Sequence, residues 1–318
     1  MFALFSLSLP AQNKTPVPII FDSDMGPDYD DVGAIALLHT LADSGYAKIL
    51  ATIASTRYEG VASILNIFNT YFNREDIPVG VAGETGLTLK DSQHWTDSLI
   101  AGYPHRIKSN REAWDAVRLY RKILSEQKRH SVTIVTTGFL TNLHGLLLSK
   151  GDEYSPLDGP GLVLEKVKKL VCMAGKFPEG YEFNIDRDIP AARYVFTRWP
   201  GFILFSGFEI GERIKTGLPL VNNKGIKHSP VQDVFRISIP MAAEDSAGRK
   251  SWDETAVLVA VLGYRPFYRL LQGHILVDTT GKSTWDRTGG NQAYLLETSP
   301  AADVAAYINK ALMRQPVK

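Results

Sequence analysis

The sequence predicts an α/β protein: a single domain with a mostly parallel central sheet flanked by helices. Three observations predict it. Short apolar runs of strand length alternate with longer runs of helical periodicity. The connections are short, as expected when helices carry the chain from one parallel strand to the next. No linker, repeat or low-complexity segment breaks the alternation, so the 318 residues read as one domain over 14–318.

The elements follow in order. "VPIIFDSD" reads as a buried strand, and "DDVGAIALLHTLADSG" as a helix ending near Gly45. "AKILATIAST" and "GVASILNIFNTYFN" repeat the pair, and "IPVGVAG" is a short strand. "NREAWDAVRLYRKILSEQ" is a long amphipathic helix, "HSVTIVTTG" a strand and "FLTNLHGLLLSK" a helix. The Gly/Asp/Pro-rich "KGDEYSPLDGPG" (150–161) reads as a surface loop, because the alternation resumes after it with "VKKLVCMAG", "IPAARYVFTRWP" and "GFILFSGFEIGERI". "SWDETAVLVAVLGY" is a late helix and "SPAADVAAYINKALMR" a C-terminal one.

Charge is balanced, 35 basic against 34 acidic residues, so bulk charge points to neither a nucleic-acid nor a membrane-surface partner. Cys172 is the single cysteine; it permits no disulfide within the chain and, in "KLVCMAG", reads as a buried structural thiol. The opening "MFALFSLSLPAQN" (1–13) has the apolar run and small residues of a secretory-signal tail cut near Ala11, but lacks basic leading residues. Export and a cytoplasmic location both stay open. No other run approaches the roughly 20 apolar residues that a membrane span needs.

Four segments carry chemistry. In "FDSDMGPDYDD", Asp22, Asp24, Asp28, Asp30 and Asp31 fall within ten positions, where a strand gives way to a helix. Helix capping explains one or two of them. Five carboxylates so close call for a cation, and oxygen-only donors point to a hard ion such as calcium or magnesium. In "IVTTGFLTNLHG", Thr136-Thr137-Gly138 ends a strand, where ligands gather in parallel sheets, although a tight turn with an N-cap at Thr141-Asn142 would read the same. "MAGKFPEGYEFNIDRDIPAA" offers Glu182, Asn184, Asp186 and Asp188, groups suited to hydroxyl-rich ligands and equally at home in a solvated loop. Asp253 opens the late apolar helix, where it is either an N-cap or a ligand.

Together these segments resemble the nucleoside hydrolase family, from about residue 17 to 262. The likeness rests on Asp22-Ser23-Asp24-Met25-Gly26 followed by Asp30-Asp31, on Thr137-Gly138-Phe139-Leu140-Thr141-Asn142, on Glu182-Phe183-Asn184 with Asp188 to Ala192, and on Asp253 with Ala256-Val257. The resemblance implies a nucleoside hydrolase-like, Rossmann-like fold and calcium-dependent hydrolysis of the N-glycosidic bond of a small-molecule riboside, as in purine and pyrimidine salvage. It implies calcium ligands Asp24, Asp31, the Thr137 carbonyl and Asp253. It implies Asp30 as general base, Glu182 and Asn184 on ribose hydroxyls, Met173 near the sugar, and assembly into homodimers or homotetramers. The residue types suit the chemistry: a carboxylate removes a proton from the attacking water as an oxocarbenium-like sugar forms.

The sequence also departs from the family's pattern. The acids are spaced two residues wider, which brings in Asp28 as an alternative ligand or base. Trp252 stands where many members carry a histidine that assists the leaving base, so stacking would replace proton donation. "STRYEG" replaces an expected Gly-Asn pair, which suggests that Arg57, Tyr58 and Glu59 reshape the pocket. Two other readings compete: a non-catalytic, calcium-dependent riboside-binding protein, and a phosphatase of the haloacid dehalogenase class, in which the first Asp would be a nucleophile. Gly26 fits the second poorly.

Overall fold

The computed structural model describes residues 15–316; the stretch 1–13 read as a signal remnant lies outside the described residues. In chain order the strands are β1 (Val17–Ser23), β2 (Ala47–Ala54), β3 (Val79–Val81), β4 (Trp114–Asp115), β5 (Val132–Thr136), β6 (Val167–Met173), β7 (Glu179–Gly180), β8 (Ile203–Ser206), β9 (Lys215–Thr216), β10 (Arg249–Lys250), β11 (Tyr268–Val277), β12 (Ser283–Asp286) and β13 (Gln292–Glu297). Eleven of them form one sheet in the order β4-β3-β2-β1-β5-β6-β8-β13-β11-β12-β7, and β9 pairs with β10 separately. From β4 to β13 every pairing is parallel; β11, β12 and β7 continue the sheet antiparallel.

β1 is apolar on both faces because both are covered. Ile19 and Phe21 join one core and Ile20 the other, the two-residue alternation of a strand between two helix layers. The first helix, Asp30–Asp43, and the late helix, Trp252–Leu262, pack on the same side. They approach closely: a Cβ on Gly33 would lie 2.1 Å from Glu254 Oε1, so only glycine fits there.

From β1 the chain winds outward through β2, β3 and β4, then returns to place β5 on the other side of β1. That reversal opens a crevice at the carboxyl ends of β1 and β5, the usual ligand position in an open parallel sheet. In register, Asp22 lies opposite Thr136, Thr136 opposite Cys172, and Met173 opposite Ser206. The loops after β1, β5, β6 and β8 therefore all leave at one place.

Two expectations need amendment. The long helix expected over "NREAWDAVRLYRKILSEQ" spans only Ala116–Ser125, because Trp114–Asp115 pairs as the edge strand β4. The expected loop 150–161 runs into a helix, Gly159–Lys166, capped by Asp158, whose Oδ1 accepts from Gly161 N at 2.9 Å. The strands β11 to β13 were not legible in the sequence, and neither was the helix Pro230–Ser238. Cys172 is fully buried, as expected.

Candidate active site

The acid-bearing loop Asp24–Asp30 is held from below. Asp22, fully buried on β1, accepts Tyr120 Oη at 2.8 Å and Asn142 Nδ2 at 3.1 and 3.2 Å. Burial pushes its carboxyl up to about 7 against those two donors. Asn142 Nδ2 also donates to Ala54 O at 3.0 Å, so one carboxamide ties the ends of β1 and β2 to the helix Thr141–Leu148. The sequence suggested a helix cap here; the side chain instead anchors the strand end that carries the acids. Gly138 completes the contact, since a Cβ on it would sit 2.3 Å from Asp24 N.

Asp24 and Asp31 are buried, and each has one oxygen, Oδ2, with no hydrogen-bond partner. Their carboxyls lie within hydrogen-bonding reach of each other. Burial first, and then the neighbouring acids, push both upward, Asp31 to about 8. Thr137 Oγ1 donates to the other Asp31 oxygen at 2.8 Å, and Thr137 N donates to Asp22 O at 2.8 Å. Asp253, at the start of the late helix, is 4% exposed and lines the same cavity. Burial and the charges of Asp30, Asp31 and Asp24 raise it too.

These groups suit a hard cation. Two orphaned carboxylate oxygens, buried side by side, lack the positive charge that would let both ionise. As the side chains stand, no three His, Cys, Asp or Glu residues among the described residues converge into a closed cage. Asp24 and Asp31 make one half-site, and Asp253 lines the same cavity as Asp24, near enough to feel the charge of both.

Asp30, the expected general base, lines the cavity and already accepts four hydrogen bonds. Arg249 donates to its Oδ1 from Nε at 3.1 Å and from Nη2 at 2.7 Å. Its Oδ2 accepts Trp252 N at 3.1 Å and Asp253 N at 3.3 Å. Four N–H donors fill the acceptor sites of one carboxylate, leaving no lone pair for a water proton. Asp28, the alternative ligand or base, pairs with Arg249 Nη2 as well, and Asp245 accepts Nη1 at 3.4 Å. Arg249 was missed in the sequence. It is buried, and it lies 4.6 Å from the Tyr29 ring centre and 5.3 Å from that of Trp252.

The sugar-side residues also have structural duties. Glu182 caps the short helix Phe183–Arg187, with Oε1 accepting Asn184 N at 2.8 Å and Oε2 accepting Gly175 N and Ile185 N at 3.1 and 3.2 Å. Burial lifts it to about 7 against those three donors. Asn184 Nδ2 donates to the carbonyls of Thr137 at 3.2 Å and Met173 at 3.1 Å. Asp188 caps the helix Ile189–Arg198 and accepts Thr141 Oγ1. Trp252 Nε1 donates to Phe208 O at 2.8 Å, and the two rings lie 5.3 Å apart.

A cavity of about 180 Å³ joins these parts, lined by Asp24, Asp28, Asp30, Thr137, Met173 and Glu182 toward the strand ends and by Phe183, Asn184, Phe208, Arg249, Trp252 and Asp253 around them. Thus the predicted set converges, apart from Asp31, which lies one layer beneath. Arg57, Tyr58 and Glu59 do not line this cavity, contrary to expectation. Tyr58 Oη instead donates to Met25 O at 3.0 Å and supports the acid loop from outside.

The model of the inosine-uridine preferring nucleoside hydrolases matches residues 19–315. A pyrimidine-specific ribonucleoside hydrolase, RihA, of Shewanella sp. (strain MR-7) is 30% identical over 236 residues, covering 71% of this chain and 66% of that protein. The chain therefore spans just under two thirds of that relative's length. Among solved structures, a plant nucleoside hydrolase, PpNRh1, superposes with a TM-score of 0.73 at 21% identity, covering 94% of this chain and 99% of the other. A purine-preferring ribonucleoside hydrolase from Gardnerella vaginalis gives 0.70 at 18% identity, covering 93% and 98%. With its model matched from β1 to the end of the C-terminal helix, the chain belongs to the inosine-uridine preferring nucleoside hydrolase family.

Proposed function

We propose that the protein hydrolyses the N-glycosidic bond of a ribonucleoside or related riboside, giving ribose and the free base, and that it does so with a bound calcium ion. The observation that carries this reading is the pair of orphaned oxygens on Asp24, which lines the cavity, and on Asp31 beneath it. Members of this family commonly bind a metal ion. Here Asp24, Asp31, the Thr137 carbonyl and Asp253 would hold it, with Asp28 held away by Arg249. When bound, calcium supplies the charge that keeps the clustered acids ionised and a centre on which sugar hydroxyls can be fixed.

The general base is Asp24 rather than Asp30. Asp24 lines the cavity and neither of its oxygens accepts an N–H group among the described residues, so one can meet the cation and the other a water, whereas Asp30 already accepts four N–H groups. Water attacks C1′ as the bond to the base breaks, and Asp24 takes the water's proton. The buried acids around it favour the positive charge developing on the sugar. Asn184 and Met173 form the sugar-side wall, and Glu182 holds that wall in shape.

The saturation of Asp30 also supports a second reading, a riboside-binding protein without turnover. A nucleoside panel assayed for reducing sugar decides between them: ribose release from at least one riboside, dependent on added calcium, supports the hydrolase, and binding without release supports the binder. The phosphatase alternative has no place in a chain of this family. No helix among the described residues is long and apolar enough to cross a membrane. Assembly as a homodimer or homotetramer, which the resemblance implies, is tested by light scattering on the eluting protein.

A further inference from the structure

The cavity is electrically two-ended. Toward the strand ends it presents Asp24, Asp28, Asp30, Asp253 and Glu182 against Arg249 alone. Its aromatic wall consists of Phe183, Phe208 and Trp252, and each of these rings carries a cation. Arg187 lies 4.9 Å from the Phe183 centroid, Lys176 Nζ 4.9 Å from that of Phe208, and Lys250 Nζ 5.3 Å from that of Trp252. Neither lysine forms a salt bridge or side-chain hydrogen bond among the described residues. Lys250 stands opposite Lys215 in the β9–β10 pairing, like charge against like. Glu209, the acid beside Lys176 and Phe208, turns Oε2 to Phe177 N at 3.0 Å instead.

Among the described residues that line the cavity, none is placed as a general acid at this end, and neither Lys176 nor Lys250 lines it. Trp252 Nε1 is already committed to Phe208 O, and Arg249, which keeps its proton at any working pH, is drawn onto three carboxylates. Yet cleavage moves the electron pair of the C1′–N bond onto the base while positive charge grows on the sugar. A site negative at the sugar and positive beside the aromatic wall matches both ends of that separation. Cations over the rings draw on their electron density, so the rings accept an electron-rich partner more readily.

We propose that the cation-flanked wall of Phe183, Phe208 and Trp252 binds the departing aglycone as an anion, with Lys176 and Lys250 as specificity-determining residues. The bond then breaks without a general acid: the pair stays on the base, the water oxygen joins C1′, and the base takes its proton from solvent after leaving. The substrate class follows, namely ribosides of acidic heteroaromatic or phenolic aglycones. This rests on the hydrolase reading above.

The test is a leaving-group series, from uridine through more acidic heterocycles to p-nitrophenyl riboside, run on the wild type, Lys176→Met, Lys250→Met and the double variant. The expected result is a roughly tenfold fall in kcat per lysine for uridine and less than about twofold for p-nitrophenyl riboside, whose phenolate leaves unaided, so that rate depends more steeply on leaving-group pKa. An equal fall across all substrates, or none, overturns the inference while leaving the hydrolase reading intact. A wild type inert on the whole series overturns the hydrolase reading, and this inference with it.

Discussion

Arg249 turns two guanidinium nitrogens, Nε at 3.1 Å and Nη2 at 2.7 Å, onto a single oxygen of Asp30, 219 positions away in the sequence. The other Asp30 oxygen caps the late helix. Asp30 thereby ties together the two walls that carry the acids.

Removing the cation should show this. Arg249→Met leaves Asp30 and Asp245 buried and uncompensated, their side chains only 2% and 0% exposed. Breaking a buried pair from one side costs about 3–5 kcal/mol. Urea denaturation should report a loss of that size, partly recovered in Arg249→Met/Asp245→Asn. A midpoint within experimental error of the wild type would mean that the cluster does not hold the fold.

The assignment of the base separates Asp24 from Asp30. Asp24→Asn should lower kcat by a factor of about 10²–10⁴. Relieving the repulsion with Asp31 should leave the cation-free protein as stable as before or more so. Calcium should no longer raise its melting temperature. Asp30→Asn should act chiefly on stability, because its four donors lose their charged acceptor. Full loss of turnover in a stably folded Asp30→Asn with normal Asp24→Asn kinetics would reverse the roles.

Gly138→Ala tests the close approach of the β5 turn to the acid loop. The added methyl meets Asp24 N at 2.3 Å and Ser55 Oγ at 2.5 Å, both in a packed interior. Overpacking of this kind costs about 1–3 kcal/mol. Calcium affinity by calorimetry should fall with it, because the displaced groups are Asp24 and the Thr137 turn.

A pH effect arises far from the site. His39 is fully buried, its Nε2 3.1 Å from Asn69 Oδ1 and its ring stacked on Phe72. Asn69 Nδ2 donates to Thr52 Oγ1, so the carboxamide is held between the hydroxyl and the imidazole. Burial, helped by Arg74, lowers the imidazole from 6.5 to about 3. Below pH 6.5 the unfolded chain binds a proton that the native state refuses. The stabilising contribution is therefore complete above 6.5 and shrinks as pH falls toward 3, by about 1.4 kcal/mol per unit. Between pH 6.5 and 5 the wild type should lose about 2 kcal/mol more than His39→Gln in urea denaturation. Parallel pH profiles would place a charged imidazole in the fold.

The parts legible in the sequence were those whose signal is local. The apolar run of β1 and the acids that follow it are contiguous, and Thr137 and Asp253 stand at the ends of recognisable elements. Arg249 was not legible because "GRKSW" is an ordinary polar turn until the fold sets it beside Asp28 and Asp30. The capping duty of Glu182 was not legible, because a carboxylate that caps and one that binds hydroxyls have the same sequence appearance. β11 carries a mixed burial pattern with several half-exposed residues, so neither alternation nor a continuous apolar run marked it.

The late helix makes no side-chain cap of its own at Ser251, and its first two N–H groups end on Asp30. During synthesis the acid loop and β1 emerge more than two hundred residues before that helix. Until the ribosome has passed Asp253, the acids have neither Arg249 to neutralise them nor a helix to cap. The acid-bearing end of the sheet is therefore assembled by the last third of this chain, and a prematurely ended chain would retain the acidic loop but not its geometry.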